Sequence, residues 1–103
     1  MHRTIEWRKK MELSVSREKI NEIDIQLLKL FEERMDICKE VASYKIENKM
    51  QVLDKSRENV ILERVRKDTQ NKEYEEYAVE LFEKIMEISR DMQMKMMKEV
   101  AGQ

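Results

Sequence analysis

The chain has 103 residues, 42% of them charged, yet its 21 Lys and Arg nearly balance 22 Asp and Glu. That length allows one domain whose core is too small to be generously stable alone, and the balanced charge leaves no global basic field to draw in nucleic acid or anionic lipid. A single cysteine, Cys38, and a single histidine, His2, exclude an internal disulfide, a histidine-based metal cluster and a Ser/His/Asp arrangement, so no metal and no cofactor is expected.

The opening "MHRTIEWRKKMELS" lacks the apolar core of a signal peptide, and no apolar run reaches the roughly 18 residues that span a bilayer. The expected location is the cytoplasm, without a membrane partner. Proline is absent and the sole glycine is Gly102, so only polar turn residues can interrupt helices. The expectation is an all-α, three-helix chain with a long first helix.

The first helix is predicted from about Ser16 to Glu47. Apolar side chains recur at Ile20, Ile23, Leu27, Leu30, Ile37, Val41 and Tyr44, the alternating three- and four-residue steps of a helix seam. After Leu30 the next seam position is Arg34, a permanent charge where an apolar residue belongs, and burying an unpaired charge costs several kcal/mol. Lys45 follows eleven residues later, which at about 100° per residue returns it to within roughly 20° of the same face. Two such cations can converge on one small anion.

Arg17 points about 100° away from Arg34 and lies roughly 25 Å distant along the helix. A two-fold antiparallel pairing of helix one with its copy around Leu28 would bring Arg17 of one chain beside the Arg34 to Lys45 stretch of the other. A helix on the order of 45 Å long also exceeds what a second helix of half that length covers, so two chains are expected to intertwine as a homodimer.

The segment "ENKMQV" is the expected connection to helix two, Asp54 to about Asp68, with Asp54 as its N-cap, accepting from the backbone N–H of Ser56 or Arg57. The start "DKSRE" puts Arg57 and Glu58 one turn before Ile61 and Leu62, at the edge of the core. After "TQNK", helix three runs from about Lys72 to Val100, its seam formed by Ala78, Phe82, Ile85, Ser89, Met92 and Met96. Ser89 and, one turn later, Gln93 place neutral hydrogen-bonding groups on one face.

Each of these residues has an ordinary explanation on its own: a snorkelling or ion-paired Arg34 partnered by Glu58, a small Ser89, a solvated Gln93. Together they describe a pocket with excess positive charge, hydrogen-bond donors, one carboxylate and no nucleophile, which suits a small polyanion such as a dicarboxylate. The run "DMQMKMMKEV" reads as core filling and a frayed terminus, and Cys38 as a small buried hydrophobe.

The stretches "REKINEIDIQLLKLFEER", "KEVASYK", "VLDKSRE" and "LFEKIMEISRDMQ" resemble the all-helical chorismate mutases, over roughly Val15 to Met96. The resemblance implies an intertwined dimer of three-helix chains with composite sites and the conversion of chorismate to prephenate, a step in phenylalanine and tyrosine biosynthesis. It implies that Arg34, and Arg17 from the partner chain, bind substrate carboxylates, and that Lys45 and Gln93 flank the ether oxygen. It further implies that Glu58 and the backbone near Asp54 hold the ring hydroxyl, while Arg57 and Ser89 help to hold carboxylates.

On that basis residues 15–100 form the expected catalytic domain and residues 1–14 an N-terminal extension of unassigned role. The alternatives are an isochorismate pyruvate lyase, which shares the fold and much of the cationic pocket, and a non-catalytic helical dimerisation or regulatory module.

Overall fold

The computed structural model describes residues 2–102, with side chains from residue 12 onward. The chain is all-α: α1 (His2–Glu47), α2 (Lys55–Asp68), one 3₁₀ turn (Lys72–Tyr74) and α3 (Glu75–Ala101). α1 starts at His2, well before the expected Ser16. The apolar seam fades before Ser16, but no proline or glycine breaks the preceding stretch, whose Arg, Lys, Glu, Met and Leu residues are good helix formers. Trp7, without an assigned role in the sequence, lies where no side chain is described.

The chain divides into two compact units, residues 1–34 and 35–103. In the first, all described residues are helical, and Ile20, Ile23, Leu27 and Leu30 are between 54% and 60% exposed. The second holds the end of α1 together with α2 and α3. Its apolar core is small: Ala42, Val52, Val79 and Met86 are its buried hydrophobic residues among those described.

α1 ends through backbone geometry. Lys49 takes a left-handed conformation with φ 54°, Met50 N–H donates to Lys45 O at 2.8 Å and Lys49 N–H to Ile46 O at 3.3 Å. This pair of bonds is a Schellman motif, in which the left-handed residue lets the chain turn back on the last carbonyls. Asn48 adds a side-chain bond from Nδ2 to Tyr44 O at 2.8 Å.

α2 opens as its sequence implies: the Asp54 carboxylate accepts from Arg57 N–H at 3.0 Å, satisfying a donor that the first turn leaves without a helical partner. It closes at Thr69, whose N–H and Oγ1 both donate to Val65 O. Asn71 then accepts from Glu73 N–H at 3.1 Å and shapes the 3₁₀ turn, so the α-helical part of the third element begins at Glu75 rather than Lys72. Lys72 Nζ ties this corner to Arg66 O at 2.6 Å and Glu75 Oε1 at 3.1 Å.

α2 and α3 pack as an antiparallel hairpin. Arg66 pairs with Glu76 and Glu75 near the corner, and Glu58 pairs with Arg90 two turns further along. The hydrogen bond to Glu76, then the charge of that carboxylate, holds the exposed Arg66 guanidinium further into its charged range.

The deepest positions of α3 are Val79, Met86, Ser89 and Gln93. The expected seam residues Ala78, Phe82, Ile85, Met92 and Met96 are half-buried beside them, so the buried stripe is turned by about one residue and carries Gln93 at its centre rather than in solvent. On the end of α1 the difference is larger. Ile37, Val41 and Tyr44 are 59%, 41% and 61% exposed, while Ala42 is buried and Cys38, Lys45 and Ile46 are half-buried. A period of 3.6 locates stripes on a helix but does not say which one its own chain covers.

Candidate functional site

Polar side chains with defined partners converge on α3. Ser89 and Gln93, 5% and 6% exposed, lie one turn apart, and Gln93 Nε2 donates to Ser89 Oγ at 3.0 Å. Gln93 Oε1 is buried without a hydrogen-bond partner among the described residues. A buried carbonyl oxygen of this kind costs about 1–3 kcal/mol if nothing satisfies it. The Ser89 hydroxyl can donate as well as accept, which lets it serve either end of the amide.

Glu58 is 21% exposed in its side chain, and Arg90 Nη1 lies 2.6 Å from both of its carboxylate oxygens. The sequence suggested Glu58 as a partner for Arg34; in the second unit its carboxylate is bonded by Arg90. Arg90, adjacent to Ser89, was not singled out in the sequence. The signal for it was available, since Arg90 falls one position from the α3 seam and, across an antiparallel hairpin, at the level of Glu58. The pair lines a cleft of 230 Å³ between α2 and α3, with Lys55, Asn59, Leu62 and Met86 on its walls.

Lys45, half-buried in the last turn of α1, donates from Nζ to Val52 O at 2.8 Å. The acceptor is a neutral carbonyl on the connection between α1 and α2, so this bond fixes the ammonium while neutralising none of its charge. The same connection presents Asp54, whose carboxylate is engaged at the cap of α2 and whose backbone C=O accepts from Glu58 N–H at 3.0 Å. Arg57 follows, with an exposed side chain.

The second unit therefore carries Lys45, Asp54, Arg57, Glu58, Ser89 and Gln93, linking Ser89 to Gln93 and Glu58 to Arg90 by direct bonds. Arg17 and Arg34 belong to the first unit, where Arg17 is exposed and Arg34 half-buried. Among the described residues no cluster of His, Cys, Asp and Glu has the arrangement of a metal site, and no helix is long and apolar enough to cross a membrane. Residue by residue, the second unit offers a fixed cation, a buried amide and an anchored carboxylate, chemical groups able to grip a polar anion and stabilise charge on it.

Comparison with known proteins points the same way. Residues 16–94 match the family described as chorismate mutase type II. A chorismate mutase of Methanocaldococcus jannaschii is 32% identical over 88 residues, which cover 84% of this chain and 89% of that one. No solved structure matches the chain significantly.

Proposed function

This chain belongs to the type II chorismate mutase family, and we propose that its described side chains perform the family's reaction within a homodimer. The activity is an intramolecular isomerisation: the carbon–oxygen ether bond of chorismate breaks as a carbon–carbon bond forms, giving prephenate. No proton is transferred and no nucleophile attacks. The enzyme has two physical tasks, holding the flexible enolpyruvyl group over the ring in its reactive conformer and stabilising the negative charge that develops on the ether oxygen.

Lys45 and Gln93 take the second task, one from each side of the ether oxygen. A 10⁶-fold acceleration requires about 8 kcal/mol, and one preorganised donor aimed at a developing oxyanion supplies about 3–4 kcal/mol, so two such donors account for most of it. The unpartnered Gln93 Oε1 supports this role. Turning the amide over lets Ser89 donate to Oε1 and presents Nε2 to the substrate. Arg34, with Arg17 of the partner subunit, grips the carboxylates, for which a guanidinium fork fixes both charge and orientation. Arg57 and Ser89 assist them, and Glu58 with the backbone near Asp54 accepts the ring hydroxyl.

The dimer rests on the exposed α1 seam. Burying one Leu or Ile fully stabilises by about 1.5–3 kcal/mol, so covering the exposed half of Ile20, Ile23, Leu27 and Leu30 contributes about 1 kcal/mol apiece. A second copy of α1 presents the matching stripe. Residues 15–100 form the catalytic domain in this reading, residues 1–14 extend α1, and the cytoplasmic location expected from the sequence goes with it.

Incubating the purified protein with chorismate and, separately, with isochorismate tests the reaction. Prephenate from chorismate, without pyruvate release from isochorismate, is the expected result. Pyruvate from isochorismate as the dominant product would assign the pocket to the lyase.

A further inference from the structure

Arg90 has no part in the roles assigned above, yet it makes a close polar contact between α2 and α3 in the second unit. Its Nη1 lies 2.6 Å from Glu58 Oε1 and 2.6 Å from Oε2, with 29% of the Arg90 side chain and 21% of the Glu58 side chain exposed. An ion pair so far withdrawn from water gains little over an apolar pair of the same size, and the adjacent Leu62 and Met86 supply apolar contact on the same cleft. Holding the helices together therefore does not by itself require the pair.

The geometry has a second property. One nitrogen bridging both carboxylate oxygens fixes the plane and position of the carboxylate, while a carboxylate offers about four acceptor sites, so each oxygen keeps a lone pair for another donor. Glu58 is held still but not used up. Without Arg90 its side chain would regain rotamers, and a ligand hydroxyl would have to restrict them on binding.

We propose that Arg90 is a positioning residue for substrate recognition: it holds the Glu58 carboxylate in the orientation that accepts the ring hydroxyl of chorismate. This rests on the assignment of Glu58 to that hydroxyl. Arg90 touches no reacting atom, and its effect passes entirely through Glu58.

The test compares the wild-type dimer with Arg90→Ala, Arg90→Lys, Glu58→Ala and the Arg90→Ala/Glu58→Ala double variant, using chorismate and the chorismate analogue lacking the ring hydroxyl, the analogue read as a competitive inhibitor. Arg90→Ala is expected to lower kcat/KM for chorismate about tenfold, mostly through KM, and Arg90→Lys to recover part of the loss. Inhibition by the analogue should change less than twofold, and Arg90→Ala should add nothing on the Glu58→Ala background. Equal weakening toward both ligands, or full additivity of the two alanine variants, would reduce Arg90 to an interhelical strut and overturn the proposal. A wild-type protein inactive on chorismate would instead overturn the mutase reading, while an active wild type with an unaffected Arg90→Ala variant would overturn the Arg90 proposal alone.

Discussion

Gln93 donates from Nε2 to Ser89 Oγ across 3.0 Å, while its Oε1, in the same buried side chain, meets no partner among the described residues. In the proposed mechanism the donor to the ether oxygen is one half-turn of this amide away. Gln93→Ala should lower kcat/KM by about a hundredfold or more, the worth of one oxyanion donor. Gln93→Glu separates donation from shape, because only the protonated acid can donate. Its activity should rise as pH falls toward the ordinary glutamate range of about 4.3, against a flat wild-type profile over the same interval. Equal activity of Gln93→Glu at neutral and acid pH would contradict the role of the amide.

Lys45 reaches Val52 O at 2.8 Å and stays half-buried, so its ammonium is held in place, as the proposed role requires. Lys45→Ala should lose at least about a hundredfold in kcat/KM, while the circular dichroism of the helices stays unchanged. Nearly unchanged kinetics would remove Lys45 from the mechanism.

Lys49 sits at φ 54°, a left-handed conformation that costs an L-residue with a side chain about 1–2 kcal/mol and glycine almost nothing. Lys49→Gly should therefore stabilise the fold by about 0.5–1 kcal/mol after the entropy of the unfolded glycine is counted, visible as a rise in Tm of about 4 °C. Kinetic constants should not move. A lower Tm would mean that the Lys49 side chain contributes more than its backbone strain removes.

Leu27 is 55% exposed on the α1 seam. Placing a charge there should cost several kcal/mol of dimer stability if a second copy covers it, and almost nothing if water does. Leu27→Glu is expected to shift the mass measured by light scattering from two chains toward one, with activity falling in parallel because the proposed site takes Arg17 from the partner subunit. A wild-type protein with the mass of a single chain would contradict the shared site.

The sequence made the helices legible because nothing in it competes with helix: no proline, and no glycine before Gly102. Asp54 was readable as a cap by residue type, and it does accept from Arg57 N–H. Ser89 and Gln93 were readable as a polar pair by their four-residue spacing, and they are bonded. What periodicity could not supply was which stripe of a helix its own chain buries. Ile37 and Val41 look like core and are exposed, while Ala42, which the seam passes over, is buried. Arg90 was missed for a related reason: a charge beside a seam reads as solvated until the hairpin partner, Glu58, is placed opposite it. The start of α1 was misplaced because polar helical sequence carries no apolar period to count.

Chorismate turnover by the purified protein beside an Arg34→Ala variant tests the central claim most directly. The account predicts loss of chorismate absorbance with prephenate as product, and a fall of at least about a hundredfold in kcat/KM when the guanidinium is removed, as expected for a charge whose partner is a substrate carboxylate. A folded wild-type protein that leaves chorismate unchanged, or an Arg34→Ala variant that turns it over at the wild-type rate, would contradict it.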